Sequence, residues 1–412
     1  MQAHRLTPAR TQPLELTLLL TSFIAVTYAC GVYLFSTLLP DMRAALALNY
    51  TEIGWITGLG QVGFLAGAWV CARLVRWLGA VRVILASVFA CGAALALMPL
   101  VVNARQIATL MVITGGAAAT VWVPMVAVVQ SGIAARHQGK VLGLLSSGTA
   151  YGLFLNGIST PALLPLGGWK LVWVFSSALT FALLAWGALR LRVGQAAGSQ
   201  APAPLSEPAG QWGWRSLARD PVAVVVVALM FFNGIACMPT MNYLVSFLRE
   251  ELGYSAQAAG WVWSTIGLVG MFGGFAMGAL ADKITVARAL TLSYGLLSLC
   301  TALFLHHAAL WEVLVGAALF GLVFNSIFGL VPAVVSLSFD AHKATVVFAL
   351  SNVALGLGSM LGNLLGGLLR EQQQSFVPVY QASLAVDVLL VGLSLRLHGA
   401  HTRRKALARS AA

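Results

Sequence analysis

Charge is what this sequence has least of. Asp, Glu, Lys and Arg make up 9% of its 412 residues, against 59% hydrophobic, whereas soluble domains carry about 25% charged residues. A soluble core this apolar would have too little polar surface to stay in solution, which excludes a large soluble helical protein. Metal-ligand and disulfide patterns are missing too. Cys30, Cys71, Cys91, Cys237 and Cys300 all lie within or at the end of apolar runs, with no CxxC spacing and no Cys/His cluster. They read as small packing residues, and no metal or cofactor is expected. No GxxxxGK loop is present, which argues against direct nucleotide drive, and no catalytic constellation points to an enzyme. No Lys or Arg falls in the middle of an apolar run. A bilayer explains that, because a cation at mid-membrane is expensive.

What is present is a succession of helix-length apolar runs. A hydrocarbon core about 30 Å thick needs about 20 helical residues. Spans are expected near 14–39, 50–74, 80–102, 107–133, 141–165, 169–191, 221–247, 256–281, 287–305, 309–335, 344–369 and 376–397. The runs are continuously apolar rather than alternating, so helices are expected and not a β-barrel. Residues 1–13 are polar and basic, and the first run is far longer than a signal h-region, so it reads as a span. With the N-terminus inside, nineteen of the 24 Lys and Arg residues fall on the inner side. Only Arg43, Arg105, Lys170, Arg249 and Arg370 fall outside. The positive-inside rule then places both termini in the cytoplasm, as an even span count requires. The net charge of +12 follows from that orientation and is no nucleic-acid signal.

The chain divides into residues 1–191, a Gly/Pro/Ala/Ser/Gln-rich cytoplasmic linker at 192–219, and residues 220–412 with a basic tail. A shift of 206 residues brings the halves into register. Leu38 meets Leu244, Arg43 meets Arg249, Gly54-Trp55 meets Gly260-Trp261, Gly67 meets Gly273 and Arg82 meets Arg288. Two six-helix repeats joined by a linker describe a transporter architecture.

The stretch Gly278-Ala279-Leu280-Ala281-Asp282-Lys283, followed by Arg288, resembles the loop signature of the major facilitator superfamily. The equivalent loop in the first half keeps Gly79 and Arg82 but has Arg76 where the Asp would stand. Gly168-Trp169-Lys170 is similar to that family's start of span six. The resemblance implies an all-α polytopic fold of 12 transmembrane helices in two pseudo-symmetric bundles, with spans 1, 4, 7 and 10 around a central cavity. It implies that spans 2, 5, 8 and 11 form the bundle contact, that span 12 lies on the outer flank, and that Arg73, Arg76, Asp282, Lys283 and Arg288 form cytoplasmic gate loops. Family members that grip dianions do so with buried cations. Their absence favours a neutral, zwitterionic, planar aromatic or weakly charged solute.

Candidate cavity residues are the polar and aromatic side chains of these spans: Tyr28, Gln61, Trp122, Asn156, Asn233, Thr240, Asn325, Phe328, Asn352 and Asn363. A buried amide must find partners, either solute or a neighbouring helix. Glu52 and Asp387 are the proton-coupling candidates, Asp387 being the one ionisable residue at the centre of an expected span. His306 and His307 mark an outer loop. The expected function is secondary active transport of a small organic solute across a bacterial-type inner membrane by alternating access, coupled to protons. Drug or metabolite efflux is one alternative. A non-transporting sensor or scaffold on the same fold is another. The expected partners are the solute, a proton as co- or counter-ion and membrane lipids, with no nucleic acid, and the chain is expected to be a monomer.

Overall fold

Polar caps at short turns set the ends of long apolar helices. The computed structural model describes residues 13–191, 219–306 and 309–410, and no strand occurs among them. Residues 192–218 of the expected linker, and His307, lie outside the described residues. The membrane-length helices are α1 (Leu14–Leu46), α2 (Tyr50–Leu78), α3 (Ala80–Leu100), α4 (Ala104–Gln130), the two legs α5 and α6 of Lys140–Arg190, α7 (Pro221–Glu251), α8 (Ala256–Ile284), α9 (Val286–His306), α10 (Leu310–Ser338), α11 (His342–Gln373) and α12 (Val377–Leu397). The longest run, 51 residues, is broken at Gly167 and Gly168, whose backbone angles are not helical. Twelve crossings result, as expected. Asn49, Asn103, Asp220, Ser255 and Asp340 each accept a backbone N–H of the first turn that follows.

The internal duplication is visible in the backbone. Six described residues have positive φ: Ala47, Gly79, Gly168, Gly253, Thr285 and Gln374. They form three pairs 206 apart: Ala47 with Gly253, Gly79 with Thr285, and Gly168 with Gln374. The same turn is thus built twice at each site, and in each pair only one member is the glycine such a conformation favours.

Helix contacts repeat with the same offset. A Cβ at Gly54 of α2 would stand 3.0 Å from the Asn363 carbonyl oxygen of α11, and one at Gly260 of α8 would stand 2.5 Å from that of Gly157 on α5. Likewise Gly67 abuts the Gly116 carbonyl, and Gly273 that of Leu322. The α2–α11 and α5–α8 contacts that join the two halves are therefore one interface made twice, through small residues that let backbones approach.

Two departures from ideal helix stand out. α1 is π-helical over Ala25–Tyr33 and α7 over Phe247–Glu251. Such wide turns leave the backbone differently satisfied and are frequent at functional sites. Many large apolar side chains remain exposed around the outside, among them Phe89, Ile158, Leu299, Trp311 and Val388. That is the surface a bilayer covers.

Candidate functional site

The two halves meet tightly at the end of the molecule away from the termini. There α1 and α7 exchange crossed ion pairs. Arg43 pairs with Glu250 at 2.9 Å, and Arg249 forks onto both carboxylate oxygens of Asp41, one at 3.0 Å. A bidentate Arg–carboxylate pair fixes geometry as well as charge. Tyr50 of α2 donates its hydroxyl to Glu250 at 2.8 Å and its N–H to Glu371 of α11 at 2.7 Å. The Arg370 guanidinium lies over the rings of Tyr50 and Phe376, 4.9 Å from each centroid. Glu251 accepts from Ser375 and from the Phe376 N–H.

One layer deeper the contacts are uncharged. Ser36 of α1 donates to the Asn242 side-chain oxygen of α7 at 2.9 Å. Asn242 in turn donates to the Asn363 side-chain oxygen at 2.9 Å and to the Met238 carbonyl at 3.1 Å. Tyr243 donates to the Asn363 carbonyl at 2.7 Å. Ser36 and Asn242 are themselves 206 residues apart. They are matched positions of the two repeats, bonded to each other where the halves face.

Two clefts flank this layer. One is lined by Val32, Thr57, Gly60, Gln61, Met111, Gly115 and Asn242, from α1, α2, α4 and α7. The other lies among α1, α5, α7 and α8 and includes Thr37, Asn156 and Thr160. Among the described residues the only cation in either lining is Arg249, which is held by Asp41.

Toward the termini the halves separate. The α5–α8 contact ends at Ser147, whose hydroxyl donates to the Met271 carbonyl at 3.3 Å. Beyond it, Gly143, Gly274 and Gly278 would have nothing within 4 Å of a Cβ, and Phe275 is 83% exposed. The α2–α11 contact ends where Gly356 meets Leu65. Next in register, Trp69 and Asn352 are both exposed. Among the described residues none of Arg73, Arg76, Asp282, Lys283 and Arg288 forms an ion pair, and all five are exposed. Arg73 instead lies over the Trp69 ring at 4.7 Å.

The expected site residues divide accordingly. Gln61 faces the first cleft. Asn156 lines the second and donates to the Ala29 carbonyl at 2.7 Å, inside the π-helical part of α1. Asn363 belongs to the bonded layer, with its side-chain nitrogen unpartnered. Tyr28 is half-buried and packs edge-on against Phe64, and Trp122 is half-buried against the core of the first half. Asn325 donates to the Gly270 carbonyl at 3.4 Å, and Phe328 stacks edge-on against Phe324. Asn352 donates to the Phe348 carbonyl of its own helix on an exposed face. Thr240 is buried within α7. Asn233 is buried with its side-chain nitrogen unpartnered.

Glu52 and Asn49 close a reciprocal capping box at the start of α2. That arrangement occupies the carboxylate in helix initiation. Asp387, placed on an outer-flank helix by the family resemblance, turns inward: it is 1% exposed and accepts from Thr301 at 2.7 Å. His306 pairs with Glu312 at 2.8 Å.

Asn242 and the acids Asp41, Glu250 and Glu371 were not singled out by sequence. The available signal was the 206-residue offset. It aligns Ser36 with Asn242 and Arg43 with Arg249, so polar residues coincide where the repeats face.

Comparison with known proteins agrees with this architecture. A model described as Major Facilitator Superfamily matches residues 21–363. A gallate transporter of Pseudomonas putida is 23% identical over 288 residues, 63% of this chain. The chain spans 64% of that relative's length. The solved nucleoside transporter NupG superposes with a TM-score of 0.76 at 14% identity, covering 93% of this chain and 99% of that one. A bacterial homologue of the human lysosomal transporter Spinster, inward-facing and unoccupied, gives 0.70 at 15%, covering 95% and 97%. At these identities the structural likeness speaks for the fold alone. With the family's pattern running through most of the sequence and its fold through the whole described chain, this protein belongs to the Major Facilitator Superfamily of membrane transporters.

Proposed function

We propose that the protein is a secondary active transporter that carries a small planar aromatic or weakly charged organic solute by alternating access, driven by a proton gradient. The observation that carries this reading is the asymmetry of the duplicated interface. It is sealed at one end by crossed ion pairs and parted at the other, below Ser147–Met271 and Leu65–Gly356. A rocking motion of one half on the other exchanges which end is sealed. The surplus of Lys and Arg in the loops expected on the termini side supports, by the positive-inside rule, a cytoplasmic parted end in a bacterial-type inner membrane. The halves are residues 1–191 and 220–412, with 192–219 as linker.

The first cleft supports the solute class. Gln61 offers an amide, Thr57 a hydroxyl, and Val32 and Met111 apolar walls, while the bonded Asn242 closes the cleft. A flat ring bearing hydroxyl or carboxyl groups matches that mixture of apolar wall and a few polar groups. The relative named as a gallate transporter points to the same class.

The test is uptake in sealed proteoliposomes. Labelled hydroxybenzoates are supplied outside, with and without an inward proton gradient. Gradient-stimulated accumulation, competed by other planar aromatic acids, is expected. A failure of uptake and of counterflow for every planar aromatic solute, with the protein correctly inserted, sinks the proposal.

A further inference from the structure

A second group of polar atoms lies in the second half, outside both clefts. Asp387 of α12 is 1% exposed, and only one of its oxygens is engaged, by the Thr301 hydroxyl of α9 at 2.7 Å. The other oxygen has no partner. The Tyr294 hydroxyl of α9 and the Asn233 side-chain nitrogen of α7 are also buried without partners. Asp387 lies within electrostatic reach of Tyr294, Cys237 and Cys300. Cys237 donates to the Asn233 side-chain oxygen at 3.6 Å.

The elements packed on α12 are α7, α9 and, less extensively, α11. The titratable groups they turn toward Asp387 are those of Cys237, Tyr294 and Cys300. Among the described residues no Lys, Arg or His pairs with Asp387. An ionised carboxylate this deeply buried, without a counter-charge, carries a desolvation cost of several kcal/mol. An added proton removes that cost and turns the empty oxygen into a donor. Neighbouring hydroxyls, or a water bridging them, then have something to accept from.

We propose that Asp387 is a proton-binding site inside the second bundle, separate from the solute clefts, and that α7 carries its state to them. This deepens the transporter reading by naming where the coupling ion is held. Uptake places an O–H on the free Asp387 oxygen. Release returns a carboxylate that the Thr301 hydroxyl alone meets. The link is α7 itself, which presents Asn233 and Cys237 to this compartment and Asn242 to the first cleft. A displacement of α7 on proton release therefore reaches the Ser36–Asn242–Asn363 layer.

The test begins without any solute. Infrared difference spectra of the lipid-reconstituted protein are recorded as pH is raised, in sodium and in choline salts. The wild type is expected to lose a protonated-carboxyl stretch in both salts. Asp387→Asn lacks that stretch. Thr301→Val shifts its midpoint to higher pH, because the ionised form has lost its donor. If Asp387→Asn fails to fold, Thr301→Val and Asp387→Glu carry the same reading. A stretch that stays unchanged while the protein remains folded, or that vanishes in sodium only, overturns the proposal. In vesicles, Asp387→Asn is expected to lose gradient-driven accumulation and keep counterflow. Accumulation by that variant also overturns it. A titrating stretch in a protein that carries no solute leaves the proton site standing and removes the transport reading instead.

Discussion

Asn242 shows what one amide does in this molecule. Its oxygen takes the Ser36 hydroxyl and its nitrogen serves Asn363 and Met238, so three helices share one side chain. Asn242→Ala leaves buried polar groups on both neighbours unpaired, at about 1–3 kcal/mol each. Transport activity is expected to fall further than membrane abundance, measured as uptake per inserted protein. A proportional fall in both would make Asn242 a packing residue only. Asn363 and Asn156 were legible in the sequence as amides stranded in apolar runs. Asn242 was not, because it sits near a span end beside Tyr243, where polar residues attract no notice. Glu52 shows a second use that a carboxylate can have. A carboxylate at a span start reads as a coupling candidate, yet three residues earlier stands the Asn49 that completes its cap.

A second residue-scale prediction concerns Asp220. Burial pushes its carboxyl up, but the Lys343 ammonium at 2.6 Å, with the N–H groups of Ala223 and Val222, outweighs burial and holds it below the usual carboxylate range. A lowered folded value means the stabilisation is complete above the ordinary Asp value of about 3.9 and is lost as pH falls through the folded one. Asp220→Asn keeps a good N-cap but removes the negative charge that pairs with the buried Lys343 ammonium. Its thermal stability is expected to trail the wild type at neutral pH, with the gap narrowing in acid. A gap that does not change with pH would assign the effect to the cap.

At the scale of elements, paired helices are set by paired glycines. Gly152 of α5 crosses α1 where a Cβ would stand 2.3 Å from the Ala29 Cβ. Its match 206 residues on, Gly358 of α11, crosses α7 with a Cβ position 1.9 Å from the Phe231 carbonyl oxygen. Backbone cannot yield as a flexible side chain does, so Gly358→Ala is expected to cost about 1–3 kcal/mol as an overpacking change. Gly274→Ala, with nothing within 4 Å, is expected to be neutral. Equal melting temperatures for the two variants in detergent would refute the assignment. The existence and number of helices were legible because apolar runs of membrane length leave few other structures. The repeat was legible from the Gly-Trp pair and the loop arginines. The π-helical stretch of α1 was not, because no residue pattern marks it; within it the Ala29 carbonyl accepts from the Asn156 amide of α5. The loop between spans five and six also proved to be only a two-glycine break.

At the scale of the whole molecule stands the ion-paired seal at the end away from the termini. Glu250 receives both Arg43 and Tyr50, so Glu250→Gln removes the charge on which α1, α2 and α7 converge. Partly exposed pairs contribute modestly, up to about 1 kcal/mol. A shift of that size still changes a two-state population about fivefold. Spin labels on the outer ends of α1 and α7 are expected to report a larger share of separated conformers in the variant. Distances identical to wild type would show that the neutral layer beneath holds the end closed alone. The sequence aligned Arg43 with Arg249 but left their partners unread, because orientation depends on counting cations and the acids beside them carry no weight in it.

The same charge pattern makes ionic strength a control on conformation. Opposite charges hold the outer end together. The opposite end presents exposed Arg73, Arg76, Lys283 and Arg288 together with the exposed acid Asp282. Screening shortens from about 8 Å at physiological salt to about 3 Å at 1 M. Salt thus loosens the attraction at the paired end and relieves the repulsion at the opposite end, and both changes favour opening of the paired end. Concentrated potassium chloride is expected to raise the labelling of a cysteine placed at the outer cleft and lower that of one placed beside Trp69. Labelling that ignores salt at both ends would leave the conformational balance to buried contacts. If labelling follows salt, the dilute and concentrated states of one preparation hold the two faces of the transport cycle.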